Sequence, residues 1–167
     1  MNFLSNIGFG FIEVGTLTPK PQPGNPKPGV FRIIDEQAII NHLGFNNKGI
    51  DYAINQIKKF NKNIPIGINI GKNATTDIKD AFRDYEYCLR ISYSVADYIT
   101  LNISSPNTKN LRDFQSVSNM ESFLVSIKIK PAKFPIVSCN AIASPALANP
   151  KKVPIDCMPL SHTEQIE

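Results

Sequence analysis

The chain is poor in the residues from which metal centres, disulfide frameworks and histidine triads are built. Its 167 residues include two histidines (His42 and His162) and three cysteines, none of them in a CxxC pair. An odd number of cysteines argues against a disulfide framework and favours a reducing, cytoplasmic-side environment. So few histidines argue against a histidine-rich metal site and against a Ser-His-Asp triad.

Long apolar runs and clusters of charge are also absent. No apolar run approaches the roughly 18 residues that a membrane span requires, and the start MNFLSNIGFGF lacks the basic flank of a secretory signal. The formal net charge of +4 comes from scattered lysines, so no nucleic-acid partner is predicted. With 42% hydrophobic and 19% charged residues, the composition is that of an ordinary globular domain.

What the chain does have is an alternation of apolar runs and amphipathic segments. Near-continuous apolar runs predict buried strands at residues 9–16, 64–70 and 96–103. Apolar residues at helical spacing predict helices over 48–60 and 77–92, and a shorter helix is possible over 35–41. Strands that alternate with helices predict an α/β fold with a parallel sheet.

Polar residues follow each predicted strand at its carboxyl end. Thr16 ends the first run, Asn69 lies in the second, and Asn102 precedes Ser104 and Ser105 in the third. Both barrels and open α/β sheets place their chemistry at this edge, so the position alone does not distinguish the two architectures.

The stretch LNISSPNTKN (101–110) has two interpretations. Asparagine, serine and proline terminate strands because they provide local hydrogen bonds and a fixed φ. The same residues could instead be a reaction site, in which a hydroxyl and several amides hold a small polar substrate.

The first long loop, residues 16–34, carries five prolines and two glycines and cannot be helical. It could be a linker or a recruitment site for a proline-binding domain. Because it joins a strand to a helix within one domain, we favour a rigid loop beside a functional site.

Several residues are given purely structural roles. Thr76 or Asp77 is expected to cap the second helix, and Asn46-Asn47 the first. Lys72 is interpreted as a solvated charge after a strand, and Cys88 as a core residue on an apolar helical stripe.

Four segments together resemble one family. They are GFGFIEVGTLTPKPQPGNPKP (8–28), NHLGFNNKGID (41–51), GINIGKN (67–73) and NISSPNTKNLR (102–112). In this order and spacing they resemble the flavin-dependent dihydroorotate dehydrogenases of the quinone-linked class, over residues 8 to about 115. The resemblance implies a (β/α)8 TIM barrel that binds flavin mononucleotide (FMN) and oxidises dihydroorotate to orotate in pyrimidine synthesis.

The resemblance also implies roles for individual residues. Ser105 matches the catalytic base that takes a proton from C5 of dihydroorotate, while the hydride from C6 goes to the flavin. Matches to flavin-binding residues are Thr16, Asn69 and Asn102. Matches to substrate-binding residues are Asn41, His42, Leu43, Gly44, Phe45, Asn102 and Asn107. His42 stands where the family commonly has arginine. By resemblance the electron acceptor is a membrane quinone, no metal is needed, and the location is peripheral, on the cytoplasmic side of the cell membrane.

The family pattern covers only part of the chain. Met1 falls within what would be the first barrel helix, and the amphipathic membrane-binding segment has no counterpart. We therefore expect residues 1–115 to form a partial barrel of about three strand-helix units.

Residues 116–167 are expected to contain one helix at 121–128, followed by an irregular or unrelated tail. In it, PIVSCNAI could be a strand but has no evident partner. A barrel of this type takes ~250 residues, so the chain is expected to have little or no activity alone. The alternative is a non-catalytic binding or assembly module derived from the barrel.

Overall fold

The structure, a computed structural model, describes residues 2–61, 63–108, 111–116, 119, 122–123 and 136–138. In chain order its elements are α1 (Asn2–Asn6), β1 (Ile12–Leu17), β2 (Val30–Ile33), β3 (Ala38–Asn41), α2 (Ile50–Ile57), β4 (Ile66–Ile70), a 3₁₀ turn (Ile78–Asp80), α3 (Ala81–Ser92), β5 (Tyr98–Leu101), a second 3₁₀ turn (Leu111–Gln115) and β6 (Ile136–Ser138).

Strands β1, β4, β5 and β6 form one parallel sheet in that spatial order. Strands of the sheet that follow one another in sequence are therefore neighbours in space, as in the wall of a barrel. The three predicted strands and the two longer predicted helices are confirmed, with later starts than the apolar runs suggested. The expectation that PIVSCNAI has no partner is wrong, because β6 pairs with β5.

The hydrophobic core lies between this sheet and the two longer helices. Ile66, Ile68 and Ile70 alternate along β4 and are at most 1% exposed. They belong to one cluster with Ile50, Ile54 and Ile57 of α2 and with the buried residues of α3. Cys88 is fully buried in that cluster, as predicted. Complete burial of an isoleucine side chain stabilises the fold by about 1.5–3 kcal/mol.

The short helix expected over 35–41 is wrong. This segment contributes β3, which pairs antiparallel with β2 across a turn at residues 34–37. Gln37 has a φ of 49° in that turn. β-Branched side chains such as Val30, Ile33 and Ile39 favour the pleated conformation, whereas a helix of seven residues is marginal without packing.

The expected side-chain caps are not formed, although Asp77 does occupy the N-cap position of the 3₁₀ turn before α3. The α3 segment begins as a 3₁₀ turn at Ile78, and no side chain caps either the turn or the helix. Asp84 in the first turn of α3 instead accepts hydrogen bonds from Thr76 Oγ1 at 2.7 Å and from the backbone N–H of Asn73 at 2.8 Å. The N-cap of α2 is Gly49, without a side-chain bond.

The helix expected at 121–128 lies largely outside the described residues. Within the described part of the chain, no helix is both long enough and apolar enough to cross a membrane.

One buried hydroxyl connects the core to the functional edge. Tyr85 Oη donates a 2.7 Å hydrogen bond to the backbone oxygen of Asn102, and the Tyr85 side chain is fully buried.

We predict that Tyr85→Phe lowers the free energy of unfolding by about 1–2 kcal/mol, because a buried carbonyl loses this donor. Urea denaturation would measure the change. Tyr52→Phe is the matched control: Tyr52 is 47% exposed and its ring keeps the contact with Lys48, so a change within about 0.5 kcal/mol is expected. Equal effects of the two substitutions would contradict the prediction.

Candidate functional site

Polar side chains cover the face of the sheet opposite the helices. On β1, the carboxylate of Glu13 accepts hydrogen bonds from Asn69 Nδ2 and from Thr100 Oγ1, each at 2.9 Å. Tyr98, at the start of β5, also bonds to this carboxylate and lies directly over Gly67. Glu13, Asn69 and Thr100 come from three adjacent strands, so one carboxylate connects β1, β4 and β5.

Three residues predicted from sequence lie together at the carboxyl edge. Thr16 Oγ1 donates to Asn69 Oδ1 at 2.7 Å and accepts from Asn102 Nδ2 at 2.9 Å. Asn69 and Asn102 are buried and Thr16 is half-buried. Gly15 allows this contact, since a Cβ there would lie 2.4 Å from the backbone oxygen of Asn69. The result is a group of neutral donors and acceptors, here called the amide cluster: Thr16, Asn69 and Asn102.

The loop after β5 connects the hairpin formed by β2 and β3 to the same edge of the sheet. Ser105 Oγ accepts a 3.2 Å hydrogen bond from the backbone N–H of Asn107. Asn107 Nδ2 donates to Asn41 Oδ1 at 2.9 Å, and Asn41 is the last residue of β3. Ser104 N donates to Asn102 Oδ1 at 3.3 Å. Ser105 is thus half-buried in a turn next to the amide cluster, which satisfies the structural interpretation of LNISSPNTKN without excluding the chemical one.

The predicted substrate residues 42–45 differ in their exposure. His42 and Leu43 are exposed, and the backbone N–H of His42 donates to the oxygen of Gly29 at 2.8 Å. Gly44 is buried at a φ of 69°, and its oxygen accepts from Gln22 Nε2 at 2.9 Å. Phe45 lies against Gly71 at the end of β4. This segment therefore contributes mainly backbone and one aromatic ring to the edge.

The proline-rich loop is held by polar side chains whose role in holding it was not predicted from the sequence. Asn73 Nδ2 lies within 3.1 Å of Thr18 Oγ1, the oxygen of Lys20 and Gln22 Oε1, and Asn73 Oδ1 accepts from the Lys20 N–H. Asn47 also bonds to Thr18, through Nδ2 at 2.9 Å, and accepts the N–H of Gly49. Asn47 is therefore a connector between loops rather than the predicted cap. We call this set, Thr18, Gln22, Asn47 and Asn73, the loop brace.

Lys72 is not the solvated charge that the sequence suggested. Its side chain is 3% exposed, and Nζ donates to the backbone oxygens of Asn73 and Thr76 at 3.1 and 2.9 Å. Burial lowers the pKa of Lys72, while the charges of Asp84 and Asp77 oppose that shift. The cation is directed at the β4-α3 loop, so it supports the loop brace and leaves the amide cluster neutral.

We predict that Asn73→Ala releases the proline-rich loop. The substitution removes a buried amide group whose Nδ2 and Oδ1 make these contacts, so it should lower the free energy of unfolding by about 1–3 kcal/mol. Amide hydrogen exchange at Lys20 and Gln22 should accelerate while exchange in β4 stays slow. Asn55→Ala on the exposed face of α2 is the control. Unchanged protection at Lys20 would show that other contacts hold the loop.

The Tyr98 phenol gives a prediction for alkaline pH. Its burial and the adjacent charge and hydrogen bond of Glu13 raise the pKa of Tyr98 to about 12, from a usual value of 10. The native state therefore retains this proton where the unfolded state has lost it, so its contribution to stability is full below pH 10 and is lost as pH rises towards 12. Between pH 9 and 11.5, wild type should lose more stability than Tyr98→Phe, as measured by urea midpoints. Parallel curves for the two proteins would rule this out.

Comparison with known proteins agrees with this architecture. The family model for dihydroorotate dehydrogenase matches residues 1–154, well beyond residue 115, where the recognised motifs end. A dihydroorotate dehydrogenase (quinone) of Neisseria meningitidis serogroup A is 55% identical over 130 residues, which are 78% of this chain and 39% of that protein. The corresponding protein of Psychrobacter arcticus is 57% identical over 125 residues, or 75% of this chain and 36% of the relative.

Solved structures give the same result for the fold. The crystal structure of DHODH from Eimeria tenella in complex with ferulenol superposes with a TM-score of 0.66 at 40% identity, covering 73% of this chain and 34% of that chain. The ligand-free form from the same organism gives 0.65 at 39% identity, covering 75% and 38%. These structures are TIM barrels, so the predicted partial barrel is confirmed.

The chain spans between 36% and 39% of the length of these two curated relatives. A family match over residues 1–154 and a parallel sheet with its polar loops at the carboxyl edge establish that this chain belongs to the dihydroorotate dehydrogenase family.

Proposed function

We propose that this chain contributes the flavin- and substrate-binding edge of a quinone-dependent dihydroorotate dehydrogenase, which oxidises dihydroorotate to orotate in pyrimidine biosynthesis. The observation that carries the proposal is the amide cluster. Thr16, Asn69 and Asn102 come from three different strand ends and are joined by hydrogen bonds of 2.7 and 2.9 Å. Ser105 and Asn107 follow on the next loop, and Asn107 is bonded to Asn41.

The donor set fits FMN. The polar edge of the flavin ring alternates acceptors with a donor, and amides and a hydroxyl offer both functions without charge. Thr16, Asn69 and Asn102 would hold that edge. The nearby Lys72 is held by two backbone oxygens, so it does not compete for this role. When bound, the flavin supplies hydride acceptance and electron transfer to a membrane quinone.

The substrate would be recognised by the adjacent amides. Orotate and dihydroorotate present a flat ring of alternating donors and acceptors, which Asn102, Asn107 and Asn41 can match. The buried backbone of Gly44 and the ring of Phe45 would border this position, with His42 and Leu43 on its exposed side. A site that must satisfy such groups discriminates strongly against analogues that lack them.

Ser105 is the proposed base for the proton at C5. A serine hydroxyl is weakly basic at neutral pH and needs a preorganised environment to act. The Asn107 N–H, 3.2 Å from Ser105 Oγ, supplies one element of that environment because it stabilises negative charge that develops on the oxygen. The hydroxyl proton would leave through a hydrogen-bonded relay.

Quinone as the acceptor implies an association with the membrane, by analogy with the quinone-dependent relatives. We place the protein at the cytoplasmic side of the cell membrane, where pyrimidine precursors and a membrane quinone are both accessible.

The test is an FMN titration of the 167-residue chain, followed by addition of dihydroorotate. If the partial barrel forms the flavin site, flavin fluorescence is quenched saturably. Because little or no activity is expected of the chain alone, bleaching of the visible band by the substrate is measured as a single reduction of the bound flavin rather than as turnover. Ser105→Ala should bind FMN normally and reduce the bleaching rate by about 10²-fold or more, since general-base catalysis contributes 10²–10⁴-fold.

Ser94→Ala is the matched control, because Ser94 is exposed between α3 and the start of β5, away from the carboxyl edge. Equal bleaching by wild type and Ser105→Ala would remove Ser105 from the proposal. Failure of the wild-type chain to bind FMN would mean that the chain alone does not form the flavin site.

A second candidate function, a binding or assembly module, is favoured by the exposed apolar hairpin. All eight residues of β2 and β3 are exposed, including Phe31, Ile39 and Ile40. This candidate predicts a stable, monodisperse complex with another chain that forms without FMN and is unaffected by Ser105→Ala. Such a complex, detected by light scattering, would favour the module over the enzyme.

A further inference from the structure

We infer that Glu13 is a positioning residue that fixes the direction of every hydrogen bond in the amide cluster. The inference rests on the proposed function only for its consequence, which is the orientation of the groups offered to FMN and substrate. The direction itself follows from the contacts of this chain.

The first step is that the Glu13 carboxylate differs from an amide in its hydrogen bonding. An ionised carboxylate only accepts hydrogen bonds, whereas an asparagine amide donates from one side and accepts on the other. Asn69 bonds to Glu13 Oε1 at 2.9 Å. Asn69 must therefore turn its NH₂ group towards Glu13, and its Oδ1 is left to face Thr16.

The second step transfers this choice to Asn102. The Thr16 hydroxyl has one proton, which it donates to Asn69 Oδ1 at 2.7 Å. Its remaining capacity is as an acceptor, so Asn102 must present Nδ2 to it, at 2.9 Å. Asn102 Oδ1 then faces the opposite way and accepts the N–H of Ser104 at 3.3 Å. The carboxylate on β1 thus orients Asn102 through Asn69 and Thr16, and the backbone N–H of Ser104 favours the same orientation from the other side.

Two further donors make the charge of Glu13, rather than its shape, the deciding property. Thr100 Oγ1 donates to Oε2 at 2.9 Å, and Tyr98 also bonds to the carboxylate. In Glu13→Gln the side-chain oxygen would be retained by these donors, and the new NH₂ group would face Asn69. Asn69 would have to reverse, and Thr16 and Asn102 would have to reverse with it, at the loss of the hydrogen bond that Asn102 Oδ1 accepts from the Ser104 N–H.

The functional consequence is that the amide cluster would keep its shape but lose its hydrogen-bonding complementarity to the ligands. Flavin and orotate edges present donors and acceptors at set positions, so a reversed amide places like groups against each other. We expect Glu13→Gln to weaken FMN binding by about tenfold or more, which corresponds to roughly one hydrogen bond. Glu13→Asp keeps an acceptor-only group and should restore much of the affinity.

The direct test does not need flavin. Side-chain amide signals of Asn69 and Asn102 are recorded by ¹H–¹⁵N NMR on the full 167-residue chain and identified by Asn69→Asp and Asn102→Asp. Glu13→Gln should displace both signals while the far-UV circular dichroism stays unchanged. Tyr98→Phe is the matched control: it removes one donor to Glu13 but keeps the carboxylate, so the Asn102 signal should remain in place.

Displacement of the Asn69 signal without any change at Asn102 would overturn the inference, because the orientation would then not be transmitted through Thr16. If Glu13→Gln proves unfolded, Glu13→Ala gives the same test, since loss of the acceptor should also displace both signals, and an unmoved Asn102 signal would overturn the inference. Failure of the wild-type chain to bind FMN would count against the proposed function alone, because the NMR result does not depend on it.

Discussion

The geometry of the candidate site depends on the hydrogen bonds that Glu13 accepts across three parallel strands. Parallel strands bring their carboxyl ends to one edge, but this does not by itself fix how polar side chains at that edge face one another. Glu13 bonds to Asn69 on β4 and Thr100 on β5 from its place on β1. The helix-facing side of the same strands is apolar and buried. The sheet therefore separates a hydrophobic layer, which stabilises the fold, from a polar layer that orients the site.

Two groups of polar residues at the carboxyl edge have different roles. The amide cluster is neutral and lies at the strand ends, whereas the loop brace fixes the proline-rich segment from outside. Lys72 and Asp84 carry charge, and both are directed at the backbone near Asn73. Lys72 and Asp84 thus hold loops through backbone groups, whereas the Glu13 carboxylate bonds to Asn69 and orients the neutral amide cluster. Because an amide offers both a donor and an acceptor, such a site gains selectivity from direction rather than from charge.

The sequence predicted those parts of the site that depend on local pattern. Thr16, Asn69 and Asn102 could be found because each lies at the end of an apolar run, and parallel strands bring such ends together. Glu13 could not, since one acidic residue within FGFIEVGT is seen as a break in the run until its partners on β4 and β5 are known. Lys72 was misassigned for a similar reason: its burial depends on a loop that folds back over it. The helix predicted at 35–41 failed because spacing alone cannot weigh β-branched pairing with residues 30–33. Roles at Ser105 and Asn107 rest on resemblance, because a strand-ending turn has the same composition.

The hairpin introduces a further property, which concerns local stability. Its eight strand residues are all exposed, and an isolated two-stranded hairpin is marginally stable in water. Asn41 ends this hairpin, and its side chain is bonded to Asn107 of the β5 loop. An element of low local stability therefore delivers one of the groups proposed to bind the substrate, whereas Asn102 is delivered by the end of a packed sheet strand. Ligand binding at this edge would then be coupled to ordering of the hairpin, so that part of the binding free energy would be spent on folding the element rather than on holding the ligand.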